Sequence, residues 1–228
     1  MQITWLGHGT VELRLGKQVI VIDPWLENPR FPAGYEFQKC DTILVTHGHF
    51  DHITGVLPLA SRFDSQVISN FEIASWLQSK GAKNPTAMNK GGTVMAGSAK
   101  VTMTHAIHSS TIVDGDRIIP AGEACGFVIE FEPGRRLYFA GDTAVHSDMN
   151  LIRELYTPEL TFLPIGDLFT MGPEQAALAT KMIGAKTVIP VHYGTFPQLP
   201  GTPSALQRMV DPLGVNVQEL TPGEPWTY

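Results

Sequence analysis

His47-Gly48-His49-Phe50-Asp51-His52 sets three imidazoles and one carboxylate within six consecutive positions. The stretch follows directly on Thr42-Ile43-Leu44-Val45-Thr46, an apolar run that reads as a buried strand. Imidazole nitrogen and carboxylate oxygen suit zinc and related divalent cations. Crowded at a strand end with no cation to share, these groups would desolvate and repel one another. The chain has only 8 histidines and three of them fall here, so a polar loop with chance histidines is the poorer reading. His47 and His49, two apart in extended chain, point to the same side. Asp51 and His52 lie beyond the bend and can face a second ion; two metals about 3.5–4 Å apart share a water and lower its pKa towards neutrality.

Three further places repeat the pattern of an apolar strand followed by a ligand-type residue. Val101-Thr102-Met103-Thr104 runs into His105-Ala106-Ile107-His108, Leu137-Tyr138-Phe139-Ala140-Gly141 into Asp142, and Thr187-Val188-Ile189-Pro190-Val191 into His192. Strand ends gather on one rim of a sheet, so ligands distant in sequence can converge there. Gly48, Gly141 and Gly194 let the backbone turn sharply beside such a crowded site.

The remainder of the chain reads as a mixed α/β domain spanning residues 1–228. Strands are expected near 2–6, 11–15, 18–22, 67–68, 93–96, 99–105, 124–131, 136–140, 159–163, 187–191 and 215–220. Helices are expected over 54–62, from an Asn70 cap to Ser79, and near 148–155, 173–183 and 203–210. Residues 24–40 form a long loop carrying Trp25, Phe31, Tyr35 and Phe37, which either line a substrate mouth or pack on the domain. A hydrophobic share of 43% against 17% charged residues excludes a disordered chain. No apolar run approaches the roughly 20 residues of a membrane span. Met1-Gln2-Ile3-Thr4-Trp5-Leu6 has no signal-peptide pattern, and two distant cysteines, Cys40 and Cys125, fit a reducing cytoplasm. A net charge of −6 without a Lys/Arg block argues against nucleic acid as the main partner, while a small phosphate ester still fits. The expected partner is a small-molecule substrate, with no membrane; a homo-oligomer is left open.

Taken together, the chain resembles the metallo-β-lactamase superfamily. The resemblance rests on Thr46 to His52, a lone histidine, Gly141-Asp142-Thr143 and a late His192. Leu6-Gly7-His8, Ile22-Asp23-Pro24, Ala106-Ile107-His108-Ser109-Ser110, Pro164-Ile165-Gly166-Asp167, Phe169-Thr170-Met171-Gly172-Pro173 and Pro190-Val191-His192-Tyr193 are similar to a family of small, mostly uncharacterised metal-dependent hydrolases. That family sits beside the ascorbate-6-phosphate lactonase branch. The resemblance implies a four-layer αββα sandwich with its site at one edge of the two sheets. It implies that His47, His49 and His108 hold one metal, that Asp51, His52 and His192 hold another, and that Asp142 bridges them. Seven ligands exceed the needs of one four-coordinate ion, so two divalent ions are expected, zinc first, with manganese, iron and nickel compatible.

Other residues stay open at this point. His105 competes with His108 for the third-ligand place, and the Ala-x-His-Ser-Ser context favours His108. His8 either supports the site or makes a local turn bond. Asp23 either orients a ligand histidine or serves the turn before Pro24. His146 is expected at the surface, Asp167 at a pocket wall or behind a ligand, Tyr193, Met171 and Phe169 in packing. The leading function is hydrolysis, with metal-activated water attacking a carbonyl or phosphoryl centre and Asp51 also handling its proton, a lactone or phosphate ester preceding a β-lactam. The alternatives are a di-iron redox enzyme on the same fold and a non-catalytic metal-binding module; an RNA-processing role is weaker for a chain of 228 residues and −6 charge.

Overall fold

The computed structural model describes residues 1–83 and 85–228. The first sheet takes β1 (Gln2–Trp5), β2 (Val11–Leu15), β3 (Gln18–Ile22), β4 (Thr42–Leu44), β5 (Gln66–Asn70) and β6 (Thr86–Met88). The second takes β7 (Thr93–Ala96), β8 (Ala99–His105), β11 (Cys125–Glu132), β12 (Arg135–Phe139), β13 (Leu160–Pro164), β14 (Thr187–Val191) and β15 (Asn216–Val217). Between them in sequence, β9 (Thr111–Asp114) and β10 (Arg117–Pro120) form a separate hairpin. The chain returns at its end as β16 (Pro225–Thr227), which pairs with β1. Each large sheet therefore has seven strands, in the orders β16-β1-β2-β3-β4-β5-β6 and β15-β14-β13-β12-β11-β8-β7.

Side-chain alternation along the strands builds the layers. On β3, Ile20 and Ile22 join the core shared with Phe127, Ile129 and Phe139 of the second sheet, while Val19 and Val21 join an outer core. That outer core is closed by Val56 and Leu59 of α2 (Val56–Phe63) and by Ile73 and Leu77 of α3 (Phe71–Ser79). The second sheet is covered by α4 (Met149–Tyr156), α5 (Pro173–Ile183) and α6 (Pro203–Val210), with Ile152, Ala176, Ile183 and Leu206 buried against it. The result is helix, sheet, sheet, helix: the four-layer αββα sandwich. No helix among the described residues is long and apolar enough to cross a membrane.

Several local expectations are revised. The helix read over 54–62 is α2; a separate short helix, α1 (Phe50–Ile53), precedes it and was not foreseen, and the chain at Pro24 crosses between the two. Gly55 N donates to Pro24 O at 2.8 Å, and a Cβ on Gly55 would stand 2.5 Å from that oxygen. Residues 111–120, where no strand was expected, hold the β9–β10 hairpin, turned at Gly115 with φ +63°. The last strand near 215–220 shortens to β15, and β6 and β16 were not foreseen. In the long loop, Phe31, Tyr35 and Phe37 pack on one another with ring centroids 5.3–6.4 Å apart, so they form core and not a substrate mouth.

The direction of the strands places the site. β1 and β3 each run antiparallel to β2, and β4 is parallel to β3, so β1, β3 and β4 all end on one rim. In the second sheet β8 and β12 are both antiparallel to β11, and β13 and β14 are parallel to β12. The turns after β1, β3, β4, β8, β12 and β14 carry His8, Asp23, His47, His108, Asp142 and His192.

Candidate metal centre

Two groups of nitrogen and carboxylate donors lie side by side at that rim. In the first, His47 Nε2 stands 3.0 Å from His49 Nδ1, and His108 Nε2 stands 3.3 Å from the same atom. In the second, donor atoms of His8, Asp51, His52 and His192 all lie within 4.8 Å of one another. Asp142 sits between the groups. Its Oδ2 is 3.9 Å from His47 Nε2 and 3.7 Å from His108 Nε2, and 3.4 Å from His52 Nε2 and 3.0 Å from His192 Nε2. All seven residues singled out in the sequence are thus brought together. His105 is not among them: it is the last residue of β8, before the turn that carries His108, and its Nδ1 meets Lys90 Nζ at 2.9 Å.

The helix α1 is only four residues long, and His49 occupies its N-cap. The short helix turns Asp51 and His52 towards the second group, with the His52 ring still 4.1 Å from that of His47 between centroids. Gly9 makes room for this. A Cβ there would stand 2.9 Å from His52 Cε1.

Asp23 is buried beneath the cluster. Its Oδ2 accepts from His52 Nδ1 at 2.8 Å and from the Thr46 hydroxyl at 2.6 Å, and its Oδ1 accepts from Thr46 N at 2.8 Å. With its own proton committed to Asp23, Thr46 Oγ1 accepts from His47 Nδ1 at 3.0 Å. One carboxylate therefore fixes the tautomer of two histidines, directing the lone pairs of His47 Nε2 and His52 Nε2 into the cluster. Of the two readings left open for Asp23, it is the orienting one that the geometry shows.

His8 has a similar part. Thr195 Oγ1 lies 2.9 Å from its Nδ1, and its Nε2 lies 2.9 Å from Asp51 Oδ2. Its ring centroid is 3.8 Å from that of His192. Sequence reasoning left His8 open and missed Thr195. Yet Gly7-His8-Gly9 after β1 repeats the same strand-then-ligand pattern as the other turns. His8, Asp23 and His192 all have left-handed backbone, with φ of +51°, +46° and +54°. Non-glycine residues seldom adopt it, and such strain gathers at sites where geometry matters more than local comfort.

The electrostatics match a cation-binding arrangement. Burial, with neighbouring imidazoles adding to it, holds His47 well below the usual histidine range, and burial also lowers His49 and His108. Burial lowers His8 to about 4, so its ring is neutral. For Asp51 and Asp142 burial opposes the charge, but the surrounding histidines outweigh it and hold both carboxyls low. For His52 burial likewise opposes the charge, and the carboxylates of Asp142, Asp51 and Asp23 overcome it and raise the ring well above its ordinary value. His52 Nε2 is buried with no hydrogen-bond partner among the described residues. A buried polar atom without a partner is costly, and lone pairs converging from His47, His49 and His108 repel; a divalent cation satisfies both. The donor set fits such ions.

Five other expectations are corrected or settled. His146 is buried, its ring 5.3 Å from that of His105, because the chain after Asp142 folds back over the end of β8. Asp167 is exposed and does not line the groove; the turn it begins places Leu168 and Phe169 there instead. Phe169, expected in packing, is 53% exposed, whereas Met171 is core. Tyr193 is packed, stacked on Trp5 at 5.3 Å between centroids.

A fold of two packed sheets with histidines and carboxylates on one shared rim defines a metallo-β-lactamase-type hydrolase. The profile described as "Beta-lactamase superfamily domain" matches residues 18–193. A "UPF0173 metal-dependent hydrolase" of Solibacter usitatus is 52% identical over 99% of both chains. Another from Koribacter versatilis is 46% identical over 100% of this chain and 98% of its own. Among solved structures, Igni18, described as a novel metallo hydrolase from the hyperthermophilic archaeon Ignicoccus hospitalis, superposes with a TM-score of 0.88 at 32% identity, covering 100% of this chain and 98% of that one. The chain belongs to the beta-lactamase superfamily and, within it, to the metal-dependent hydrolases.

Proposed function

We propose that the protein is a dinuclear metal hydrolase that cleaves a small ester-like bond, a lactone or phosphate ester, in the cytoplasm. The observation that supports this most is Asp142 Oδ2, within 3.0–3.9 Å of the Nε2 atoms of four histidines, two from each donor group. A carboxylate in that position offsets the repulsion between two cations. His47 Nε2, His49 Nδ1 and His108 Nε2 would hold one ion, and Asp51, His52 and His192 the other, with Asp142 between. The imidazole-rich set suits zinc, and manganese, iron or nickel also take such donors. When bound, two such ions supply Lewis acidity and a water of near-neutral pKa.

The chain's own groups divide the remaining work. Asp23 keeps the protons of His47 and His52 on Nδ1, so that their Nε2 atoms would be free to hold the ions. His8 Nε2–H donates to Asp51 Oδ2 and leaves Oδ1 free to hold the proton of the attacking water. The surrounding histidines keep Asp51 ionised and ready for that part. Leu168, Phe169 and Phe196 stand over the centre and limit water around a bound substrate.

The test is elemental analysis of the purified protein with a panel of lactones, phosphodiesters, thioesters and β-lactams. Two ions per chain are expected, with activity abolished by a chelator and restored by zinc or manganese. A plateau at one ion sinks the dinuclear arrangement. Iron-loaded protein that hydrolyses nothing in the panel but reduces oxygen or nitric oxide overturns the hydrolytic reading.

A further inference from the structure

The groove over the donor cluster has a volume of about 840 Å³. Its floor is the cluster itself, and its walls are Phe50, Leu168, Phe169 and Phe196, with Ser109 and Gln198 as uncharged polar groups. Among the described residues no lysine or arginine lines it. Arg30, on a nearby segment, is turned away. Its guanidinium lies over the rings of Trp5 and Tyr193 at 4.6 and 5.1 Å, in a separate cavity behind the 194–201 segment.

The wall is held out on purpose of geometry, not left loose. Phe50, Leu168 and Phe169 are 55%, 64% and 53% exposed. Asp167 and Leu168 are consecutive non-glycine residues with φ of +71° and +36°. The turn they form is closed by Asp167 N to Met171 O and Thr170 N to Asp167 O, both 3.0 Å, and anchored by the fully buried Met171. Two large apolar side chains are thereby fixed in water at the lip of a polar cluster, through backbone that non-glycine residues avoid. A phosphoryl or carboxylate group entering here meets no cationic side chain, in a chain of net charge −6.

Resting on the hydrolase reading above, we infer that the substrate is an uncharged acyl compound, a neutral ester or lactone with an apolar tail, whose tail lies against Leu168 and Phe169. In the reaction the oxygen of water bonds to the acyl carbon and the acyl C–O bond breaks. One water proton goes to the departing alcohol oxygen and the other leaves with the carboxylic acid product. Phosphate esters are then poor substrates, which selects between the two classes proposed above.

Binding calorimetry on zinc-loaded protein tests this without turnover. The probes are acetohydroxamate, hexanohydroxamate, octanohydroxamate and adipic monohydroxamate, which share one chelating head. Affinity should rise about threefold to fourfold per methylene along the neutral series. Adipic monohydroxamate should bind about tenfold or more weakly than hexanohydroxamate. Leu168→Ser with Phe169→Ser should flatten the series, costing octanohydroxamate most and acetohydroxamate least; Phe169→Ala alone serves if the double variant does not fold. A flat wild-type series, or tighter binding of the acid-tailed probe, overturns this inference and leaves the hydrolase reading standing. Zinc-loaded protein that binds none of the four probes also overturns this inference, whereas protein that takes up no zinc removes the metal-centre reading and this inference with it.

Discussion

Replacing Asp23 by asparagine changes one atom, and its expected effect follows from three hydrogen bonds. Asp23 Oδ1 accepts from Thr46 N at 2.8 Å, so the amide oxygen of the variant stays on that side. The amide nitrogen then takes the place of Oδ2, which in the native protein accepts from His52 Nδ1 at 2.8 Å and Thr46 Oγ1 at 2.6 Å. An NH₂ group cannot accept either proton. His52 must become the acceptor at Nδ1, and its proton moves to Nε2, the atom 3.4 Å from Asp142 Oδ2. The lone pair that would face an ion is lost. Thr46 turns its hydroxyl proton elsewhere, and the link to His47 Nδ1 is lost with it. Removing such an orienting partner typically costs 10–100-fold in metal affinity, about 1.4–2.7 kcal/mol. Because Asp23 serves one histidine of each donor group, Asp23→Asn should weaken both ions, whereas Thr46→Val should weaken chiefly the ion held through His47. Competition titration against a chromophoric chelator, with thermal unfolding to check the fold, reads both constants. Native affinity for both ions in folded Asp23→Asn protein would refute the argument that this carboxylate sets the tautomers.

Three further outcomes are expected. His108→Ala should lower metal content and activity together while His105→Ala keeps both, because only His108 Nε2 approaches His49, at 3.3 Å; elemental analysis beside an activity assay decides, and the opposite pattern reverses the assignment. Gly9→Ala should cost about tenfold in affinity for the ion held by His52, since the new methyl would lie 2.9 Å from His52 Cε1 and tilt a ring that Asp23 already fixes; unchanged binding of the second equivalent would show that the ring has room. In the metal-free protein His52 is raised above 6.5 and carries a proton that an ion must displace, while His47, His49 and His108 are lowered and already neutral. Affinity for the equivalent held by His52 should therefore fall as pH is lowered from above the ordinary histidine range into it, while the other stays nearly constant, read by titration with proton-release calorimetry; parallel slopes for both would contradict it.

The strand-then-ligand pattern made much of this legible, because a residue's place at a strand end is a local property. His47, His108, Asp142 and His192 each follow a run of apolar residues whose fate is decided by neighbours in sequence. The orienting layer was harder to read. His8 meets Asp51 across 43 positions and Thr195 across 187, and nothing local in Thr195 marks it as a partner. His146 was misplaced for the same reason: what buries it is the turn of the chain over β8, not its own flanks. The β9–β10 hairpin was missed although Asp114-Gly115-Asp116 stands between two alternating runs, since each strand has only four residues. Phe169 shows the opposite failure, an apolar residue that composition assigns to the interior and a strained turn delivers to the surface.

The rim also has a mechanical meaning. His8, Asp23, His47, His49, Asp51 and His52 come from turns of the first sheet, and His108, Asp142 and His192 from turns of the second. Neither half owns a complete donor set, so each ion would act as a rivet driven through both plates. Loading would then resist sliding of the sheets as well as unfolding, and a metal-starved protein would open first along this seam, where the orphan nitrogens stand, with the shared apolar interior behind it still closed.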